Sequence, residues 1–151
     1  MARRLVKRPK LYFVDSGLAC RLLHISTPEQ LCYHPLWGAL VDTWCFSEIL
    51  KSRLNRGLRP DAWYWRSSDG VEVDIVVEAG NRLLPIEVKA NATPHPDHAD
   101  GIRRLRELGG RDSSTSVSGG LLIYAGTEHR AAGADRFVPW NRIDAAVAAL
   151  I

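Results

Sequence analysis

Charged side chains interrupt two neighbouring apolar stretches of the chain, VEVDIVVE at residues 71–78 and RLLPIEVK at residues 82–89. Asp74 in the first stretch and Glu87 in the second supply two carboxylates, and Lys89 supplies an ammonium group. Carboxylate oxygens are ligands that Mg²⁺ prefers, and a bound divalent ion can activate water and neutralise charge on a phosphate. These three side chains therefore have the composition of a site for metal-assisted chemistry.

Both stretches alternate apolar and polar residues with the period of two that is typical of β-strands. The turn-forming pair Gly80-Asn81 separates them and is compatible with a two-residue hairpin loop. In such a hairpin Asp74 lies directly opposite Glu87, with about 5 Å between the Cβ atoms. Two carboxylates at that spacing repel each other unless positive charge lies between them. The hairpin therefore favours a cation at this position.

A solvated hairpin face is the simpler interpretation of the same residues. Charged outer faces are common in antiparallel pairs, and Glu72 would then form a cross-strand ion pair with Lys89. Pairing of Glu72 with Arg66 is a second structural role, and an outer position around the metal ion is its functional alternative. Strand alternation places Glu72 and Asp74 on one face, with Val73 and Ile75 on the other. The spacing by itself leaves the metal site and the solvated face as equal alternatives.

Pro85 complicates the hairpin register. Proline cannot donate to a strand ladder, so it can mark a bulge that shifts the pairing by one residue beyond it. The expected register, in which Glu72 lies opposite Lys89, depends on the absence of such a shift.

The rest of the chain predicts a mixed α/β sheet, with a central antiparallel meander flanked by helices. The predicted order is helices, three strands, a helix, two strands and a final helix. Helices are predicted at 15–23, from Thr27 onwards, and at 36–57, 97–108 and 141–150. Strands are predicted at 62–66, 71–78, 82–89, 121–126 and 136–140, with a short strand or extended segment at 10–14. Residues 91–96 and 111–120 are predicted to be loops.

Composition is that of one compact globular domain spanning residues 1–151, with 46% hydrophobic and 25% charged residues. The net charge of +3 permits a nucleic-acid partner without arguing for one. The basic start, MARRLVKRPK, predicts either a solvated arm or an arm that contacts phosphate. Composition does not name the function.

The cysteines exclude two classes of protein. Cys20, Cys32 and Cys45 are widely spaced and odd in number, and they form no ligand spacing with the histidines. Neither a disulfide framework nor a zinc site is supported, and three thiols in a reducing cytoplasm are expected.

No apolar run reaches the roughly 18 residues of a membrane span, so no membrane association is expected.

The acids and the lysine also follow a known order. Twelve residues separate Asp74 from the tripeptide Glu87-Val88-Lys89. An acid followed at this distance by acid-x-Lys on an apolar strand resembles the PD-(D/E)xK nuclease superfamily. The resemblance implies a restriction-endonuclease-like core, which has the helix, three-strand meander, helix and strand predicted for this chain.

Longer blocks match over nearly the whole chain. They are KRPKLYFVDSGLACRLL (7–23), LWGALVDTWCFSEILK (36–51), WYWRSSDGVEVDIVV (63–77), LLPIEVKA (83–90), GGLLIYAG (119–126) and FVPW (137–140). In this order they resemble the carboxy-terminal nuclease-like domain of a large group of prokaryotic AAA+-type P-loop ATPases. The chain has no GxxxxGK[ST] motif, so the ATPase is absent here and the chain is expected to be a carboxy-terminal fragment of a larger ATPase.

The resemblance implies a role for each residue of the motif. Asp74 would be the central metal ligand and Glu87 the second, and the Val88 carbonyl would complete the protein ligands of Mg²⁺ or Mn²⁺. Lys89 would orient the attacking water or stabilise charge in the transition state, and these catalytic roles depend on Asp74, Glu87 and Lys89 sharing one site.

A further acid is expected from the first core helix. The family pattern there is Gly, three residues, then Glu, and this chain has Gly38 followed by Asp42 at the matching position. Aspartate is one methylene shorter, so Asp42 is expected to reach the metal through water. Glu48 lies about 120° around the same helix, so it cannot face the same site and is expected to be solvated or ion-paired.

Basic residues near the motif suggest a nucleic-acid surface. Arg66 follows the aromatic pair Tyr64-Trp65, and Arg103 and Arg104 lie on the following helix. These arginines would contact the nucleic-acid backbone, although a solvated helix face explains the last two equally well. Trp65 is expected in the core.

Three functions follow from the resemblance. The first is metal-dependent cleavage of nucleic-acid phosphodiesters, coupled in the complete protein to an ATPase. The second is a catalytically degenerate nuclease fold that serves as a DNA-binding or assembly module of that ATPase, and the third is hydrolysis of another phosphate ester. The expected partners are nucleic acid, DNA in the first place, and a P-loop ATPase domain in the same chain. A second copy in a homo-oligomer is an option.

Overall fold

A computed structural model describes residues 9–93, 95–109, 116–117 and 119–149. Its α-helices are α1 (Ser16–Leu22), α2 (Pro28–Cys32), α3 (Trp37–Asn55), α4 (Asp100–Gly109) and α5 (Ile143–Ala148). Its strands are β1 (Ala62–Arg66), β2 (Glu72–Ala79), β3 (Arg82–Lys89), β4 (Ser116–Val117), β5 (Leu121–Tyr124), β6 (Arg130–Ala132) and β7 (Asp135–Pro139). Short 3-10 helices precede α4 (Pro96–Ala99) and α5 (Trp140–Arg142).

The strands of the described residues form one mixed sheet in the order β1-β2-β3-β5-β7-β6, with β4 beside β3. Strands β1, β2 and β3 form an antiparallel meander, whereas β3, β5 and β7 run parallel. Strand β6 pairs antiparallel with β7 at the far edge. The predicted mixed α/β class with an antiparallel meander is therefore confirmed, but the meander forms one edge of the sheet rather than its centre.

Helices cover both faces of the sheet. On one face α3 and α5 pack against alternate residues of the strands, and this main core cluster includes Cys45, Ile49, Ile86 and Val147. On the other face α4 packs through two smaller clusters. Burial of apolar area on both faces is the main term that stabilises such a three-layer arrangement.

Two helix starts agree with their sequence signals. Asp15 caps α1 by accepting a hydrogen bond from the Leu18 N–H at 3.0 Å. Thr27 caps α2, and Gln30 completes a capping box with Pro28 at the first helical turn. These caps satisfy backbone N–H groups that have no partner inside a helix.

Several predicted elements differ in the structure. Residues 10–14 belong to neither a helix nor a strand, and the helix expected to start at residue 97 begins as a 3-10 turn. Strand β4 lies within the expected loop 111–120, and the edge strand β6 was not predicted. The expected helix 141–150 is a 3-10 turn followed by the shorter α5. The predictions for the arm before residue 9 and for residues 111–115 and 118 lie outside the described residues.

Two absences hold for the described residues. None of the helices there has the length and apolarity that crossing a membrane requires. Cys20, Cys32 and Cys45 are free thiols, as expected from their spacing.

Candidate active site

The hairpin that carries the acids has the predicted register at its turn end. Pairing of β2 with β3 runs from Ala79–Arg82 to Ile75–Ile86, and Pro85 causes no shift within it. Pro85 lies between the parts of β3 that pair with β4 and with β5. Its lack of a backbone N–H therefore interrupts the pairing with neither of these strands. The ladder ends just before the two acids.

A bulge lies instead between β1 and β2. Asp74 and Ile75 together occupy the place opposite the single residue Tyr64. Val73 therefore packs on the α4 side of the sheet, whereas Ile75 packs on the α3 side. The expectation that these two residues share a face is wrong, because the extra residue of a bulge interrupts alternation. The bulge also turns Asp74 towards α3.

Lys10, which was not among the predicted site residues, connects Asp42 on α3 with Asp74. The Lys10 Nζ lies 2.9 Å from Asp42 Oδ2 and 2.8 Å from Asp74 Oδ1. Its ammonium group therefore occupies the space between the two carboxylates. Lys10 belongs to the basic start and to the first matching block, residues 7–23, but neither signal pairs it with an acid.

Asp74 is held from other sides as well. Its Oδ2 accepts a hydrogen bond from the Val88 N–H at 3.1 Å and lies 3.9 Å from the Lys89 Nζ. Its backbone carbonyl accepts a hydrogen bond from the Tyr12 hydroxyl at 2.6 Å. The side chain of Asp74, rather than its backbone, thus joins β2 to β3 beyond the end of the ladder. The Val88 carbonyl as a metal ligand stays a prediction.

Glu87 is buried beside Lys89 and α4. The Lys89 Nζ lies 3.0 Å from Glu87 Oε2, and the Glu87 side chain is 7% exposed. A Cβ at Gly101 would collide with Glu87 Oε1 and with the Glu72 carbonyl. Gly101 therefore allows α4 to approach the strands closely enough to enclose Glu87.

Burial changes the protonation of Glu87. Its pKa is raised to about 8, first because burial disfavours the charged form and second because the charge of Asp74 is near. A hydrogen bond between the two carboxyl groups raises the pKa further, and the Lys89 ammonium opposes the shift. The raised pKa favours the protonated form of Glu87, in which its carboxyl O–H donates a hydrogen bond to Asp74.

Lys10 and its two acids shift one another's pKa values. Burial would lower the pKa of Lys10, but the charges of Asp74 and Asp42 outweigh burial and raise it. Burial would raise the pKa of Asp74, but Lys10, the Val88 N–H and Lys89 lower it below its ordinary value. The pKa of Asp42 is raised by burial and by the charge of Asp74, which Lys10 offsets only in part.

The carboxylate oxygens of this site suit a divalent cation. The Lys10 ammonium group, however, occupies the position between Asp42 and Asp74 that the cation would take. Carboxylate oxygens of Asp42, Asp74 and Glu87 are hard ligands suited to Mg²⁺ or Mn²⁺. Within the described ranges, however, no three His, Cys, Asp or Glu side chains are grouped closely enough to hold a metal ion. An ion between Asp42 and Asp74 requires Lys10 to leave.

The other candidate acids are engaged elsewhere. Glu72 does not pair with Lys89; it forms an ion pair with Arg66 on β1 at 3.0 Å. Glu48 forms an ion pair with Lys51 on the same helix, in agreement with its predicted structural role.

The candidate nucleic-acid contacts are also ion-paired. Arg104 lies 3.0 Å from Asp69, and Arg103 pairs with Asp100. Contact of Arg66, Arg103 and Arg104 with nucleic acid stays a prediction. Trp65 packs against the core cluster of Val73, as expected.

Two grooves border the site, one on each side of residues 10–12. One has a volume of about 360 Å³ and lies between this segment, α1 and α3. The other has a volume of about 330 Å³ and faces β1. Lys10 and Tyr12 line both grooves, so this short segment separates them.

Comparison with known proteins places the chain in a family. Residues 37–143 match the family described as a domain of unknown function, DUF4143, and the chain belongs to this family. The matched region contains Asp42, Asp74, Glu87 and Lys89, whereas Lys10 lies before it.

Two similar proteins come from mycobacteria. Uncharacterized proteins of Mycobacterium bovis and Mycobacterium tuberculosis are each 33% identical to this chain over 95 residues. That region makes up 62% of this chain and 20% of each mycobacterial protein. The chain thus spans about a fifth of the length of these relatives.

Proposed function

We propose that this domain is a metal-dependent phosphodiesterase acting on nucleic acid, DNA in the first place. The observation that carries the proposal is the contact of one ammonium group, that of Lys89, with both Asp74 and Glu87, at 3.9 and 3.0 Å. The order of these residues resembles the PD-(D/E)xK motif, and buried acids with perturbed pKa values cluster at functional sites. An ATPase domain in the same chain, as in the nuclease-like domains that the sequence resembles, is part of the proposal.

Asp74 and Glu87 would hold Mg²⁺ or Mn²⁺, with Asp42 acting through water. When bound, such an ion activates a water molecule and offsets charge on the phosphate. The Val88 N–H keeps Asp74 oriented towards β3, and burial under α4 keeps bulk water away from Glu87. Lys89 is placed to stabilise negative charge that develops on a phosphate near these acids.

Arginine ion pairs could be exchanged for phosphate contacts at the surface. Arg66 and Arg104 each pair with an acid at 3.0 Å, and their side chains are 50% and 36% exposed. Exposed pairs of this kind contribute little to stability, so their exchange for a phosphate costs little.

Cleavage of labelled DNA by wild type and Lys89→Ala tests the enzyme. With Mg²⁺ or Mn²⁺ we expect Lys89→Ala to lower the rate by about 10²–10³, because a positioned donor to transition-state charge is lost. DNA affinity should change little. Lys51→Ala is the control, since Lys51 pairs with Glu48 on α3 rather than with an acid of the site. Equal cleavage by wild type and Lys89→Ala would show that the active site is assigned wrongly.

A degenerate module that binds DNA or assembles with an ATPase is the second candidate. The Lys10 ammonium favours it, because a protein cation already neutralises the acids that would hold an ion. This function predicts no cleavage with either ion, even by the protein with its ATPase region. It also predicts DNA binding that weakens steeply with salt, as expected for phosphate contacts by arginine.

A further inference from the structure

The Lys10 side chain is bound as a cation rather than left in solvent. Its Nζ is within 2.9 Å of Asp42 and 2.8 Å of Asp74, and the side chain is 27% exposed. The ammonium group also lies over two aromatic rings, 5.3 Å from the centre of Tyr12 and 5.6 Å from that of Tyr64. Two carboxylates and two ring faces are the environment that a cation prefers.

A divalent ion cannot share this position with Lys10. An oxygen of Asp42 and an oxygen of Asp74 already accept hydrogen bonds from the ammonium group. An ion bound to the same oxygens would lie within a few ångströms of a like charge in a partly buried site, where repulsion is poorly screened.

We propose that Lys10 and a divalent cation compete for the space between Asp42 and Asp74, so that the ion binds only when residues 9–12 withdraw. This inference rests on the proposed metal site. It makes the segment before α1 an internal inhibitor of that site, replaced when the ion binds.

Withdrawal of the segment breaks two contacts of Tyr12 but no regular structure. Residues 9–12 belong to no helix or strand, so their departure breaks no sheet ladder. Tyr12 stacks on Phe46 at 4.4 Å and donates a hydrogen bond to the Asp74 carbonyl. Because Lys10 and Tyr12 separate the two grooves, their movement would join these grooves into one cleft beside the acids.

Mn²⁺ binding to wild type and Lys10→Met tests the competition. Methionine keeps an unbranched apolar side chain of similar length and removes the charge. We expect Lys10→Met to bind Mn²⁺ at least about tenfold more tightly in titrations followed by electron paramagnetic resonance. Lys51→Met is the matched control, and its Mn²⁺ affinity should equal that of wild type. Adding Asp74→Asn to Lys10→Met should remove the gain.

The outcomes separate this inference from the proposed function. Equal Mn²⁺ affinity of wild type and Lys10→Met, abolished in both by Asp74→Asn, would overturn the competition and leave the metal site standing. Absence of Mn²⁺ binding by both proteins would overturn the metal site as well.

The ring protons of Tyr12 in the wild-type protein give a test that does not depend on how well Lys10→Met folds. Tyr12 stacks on Phe46 with 4.4 Å between the ring centres, so withdrawal should remove the ring-current shift of its NMR signals. Saturation with Mg²⁺ should therefore move these signals towards their positions in an unfolded chain. Mg²⁺ binding that depends on Asp74 but leaves the Tyr12 signals in place would refute the withdrawal.

Discussion

The two ends of the β2–β3 hairpin use buried charge in different ways. At the turn end Arg53 is only 4% exposed, and its guanidinium group donates hydrogen bonds to the backbone carbonyls of Arg59 and Glu78 at 2.7 and 3.0 Å. At the open end Lys10 and Lys89 contact the carboxyl groups of titratable side chains. Backbone carbonyls cannot change charge or leave, whereas carboxylates can exchange one cation for another.

This difference separates a charge that is fixed to the backbone from charges that are held by titratable side chains. Arg53 of α3 contacts both the loop that precedes β1 and the strand β2, so its contacts stabilise the fold. The acids at the open end lie beyond the last pair of the ladder, where a bulge and two lysines take the place of regular pairing. Departures from regular structure that leave charge partly buried are expected where function requires them.

Removal of the buried guanidinium should have the largest effect on stability. Arg53→Met leaves the carbonyls of Arg59 and Glu78 without their donor, and we expect a loss of about 2–4 kcal/mol in the free energy of unfolding. Urea unfolding measures it. Lys51→Met, which removes an exposed ion pair with Glu48 on the same helix, should cost less than about 1 kcal/mol. Similar losses of stability in both variants would show that the buried Arg53 contributes no more to the fold than an exposed ion pair.

Asp74→Asn should abolish stabilisation by the ion. Mn²⁺ at 100 times its dissociation constant should stabilise wild type by about 2.7 kcal/mol, because the ligand binds the folded state. Asp74→Asn should show no Mn²⁺-dependent rise in Tm by calorimetry. Asp61→Asn, beside the turn end, should keep the full rise. A rise that survives Asp74→Asn would place the ion elsewhere.

Gly101→Ala should disturb the open end through α4. The added methyl group meets the Glu72 carbonyl and Glu87 Oε1, so the helix must shift, at a cost of about 1–3 kcal/mol by thermal unfolding. Gly38→Ala in α3 is the control, because its methyl group would have no neighbour within 4 Å. If both variants are equally stable, α4 does not enclose Glu87 as tightly as described.

Glu87 should give the stability curve a pH dependence. Its pKa is about 8 in the folded state against an ordinary value of 4.5, so between these values only the unfolded state ionises. Stability should be highest below pH 4.5 for this group and fall by up to about 1.4 kcal/mol per pH unit, levelling off above pH 8. Glu87→Gln should remove this slope in urea unfolding at several pH values. If the slope of stability against pH is the same in Glu87→Gln as in wild type, other groups cause it.

Local signals predicted much of the fold. The alternation of residues 71–78 and 82–89 and the Gly80-Asn81 pair predicted the hairpin and its register, which the pairing of Ala79 with Arg82 confirms. Gly80 has φ of 62°, a conformation that glycine adopts without strain. Such features depend on neighbouring residues, so a single sequence contains them.

The bulge at Asp74–Ile75 and the edge strand β6 were not predictable in the same way. Alternation in the letters VEVDIVVE stops at the apolar run Ile75-Val76-Val77, but such a run is equally typical of a strand that is buried on both faces. Packing against α3 on one face and α4 on the other therefore decides where the extra residue lies. Strand β6 has three exposed residues, so no apolar pattern marks it.

For the candidate site, the sequence by itself determined the kinds of groups, and the tertiary structure decided which of them meet. The order of Asp74, Glu87 and Lys89 predicted two acids and a cation on adjacent strands. Lys10 lies 64 residues before Asp74, and nothing in its neighbourhood marks it as the partner of that acid. An ion pair of this kind forms only when α3, β2 and the segment before α1 pack together, because the energy of a charge depends on its surroundings in space.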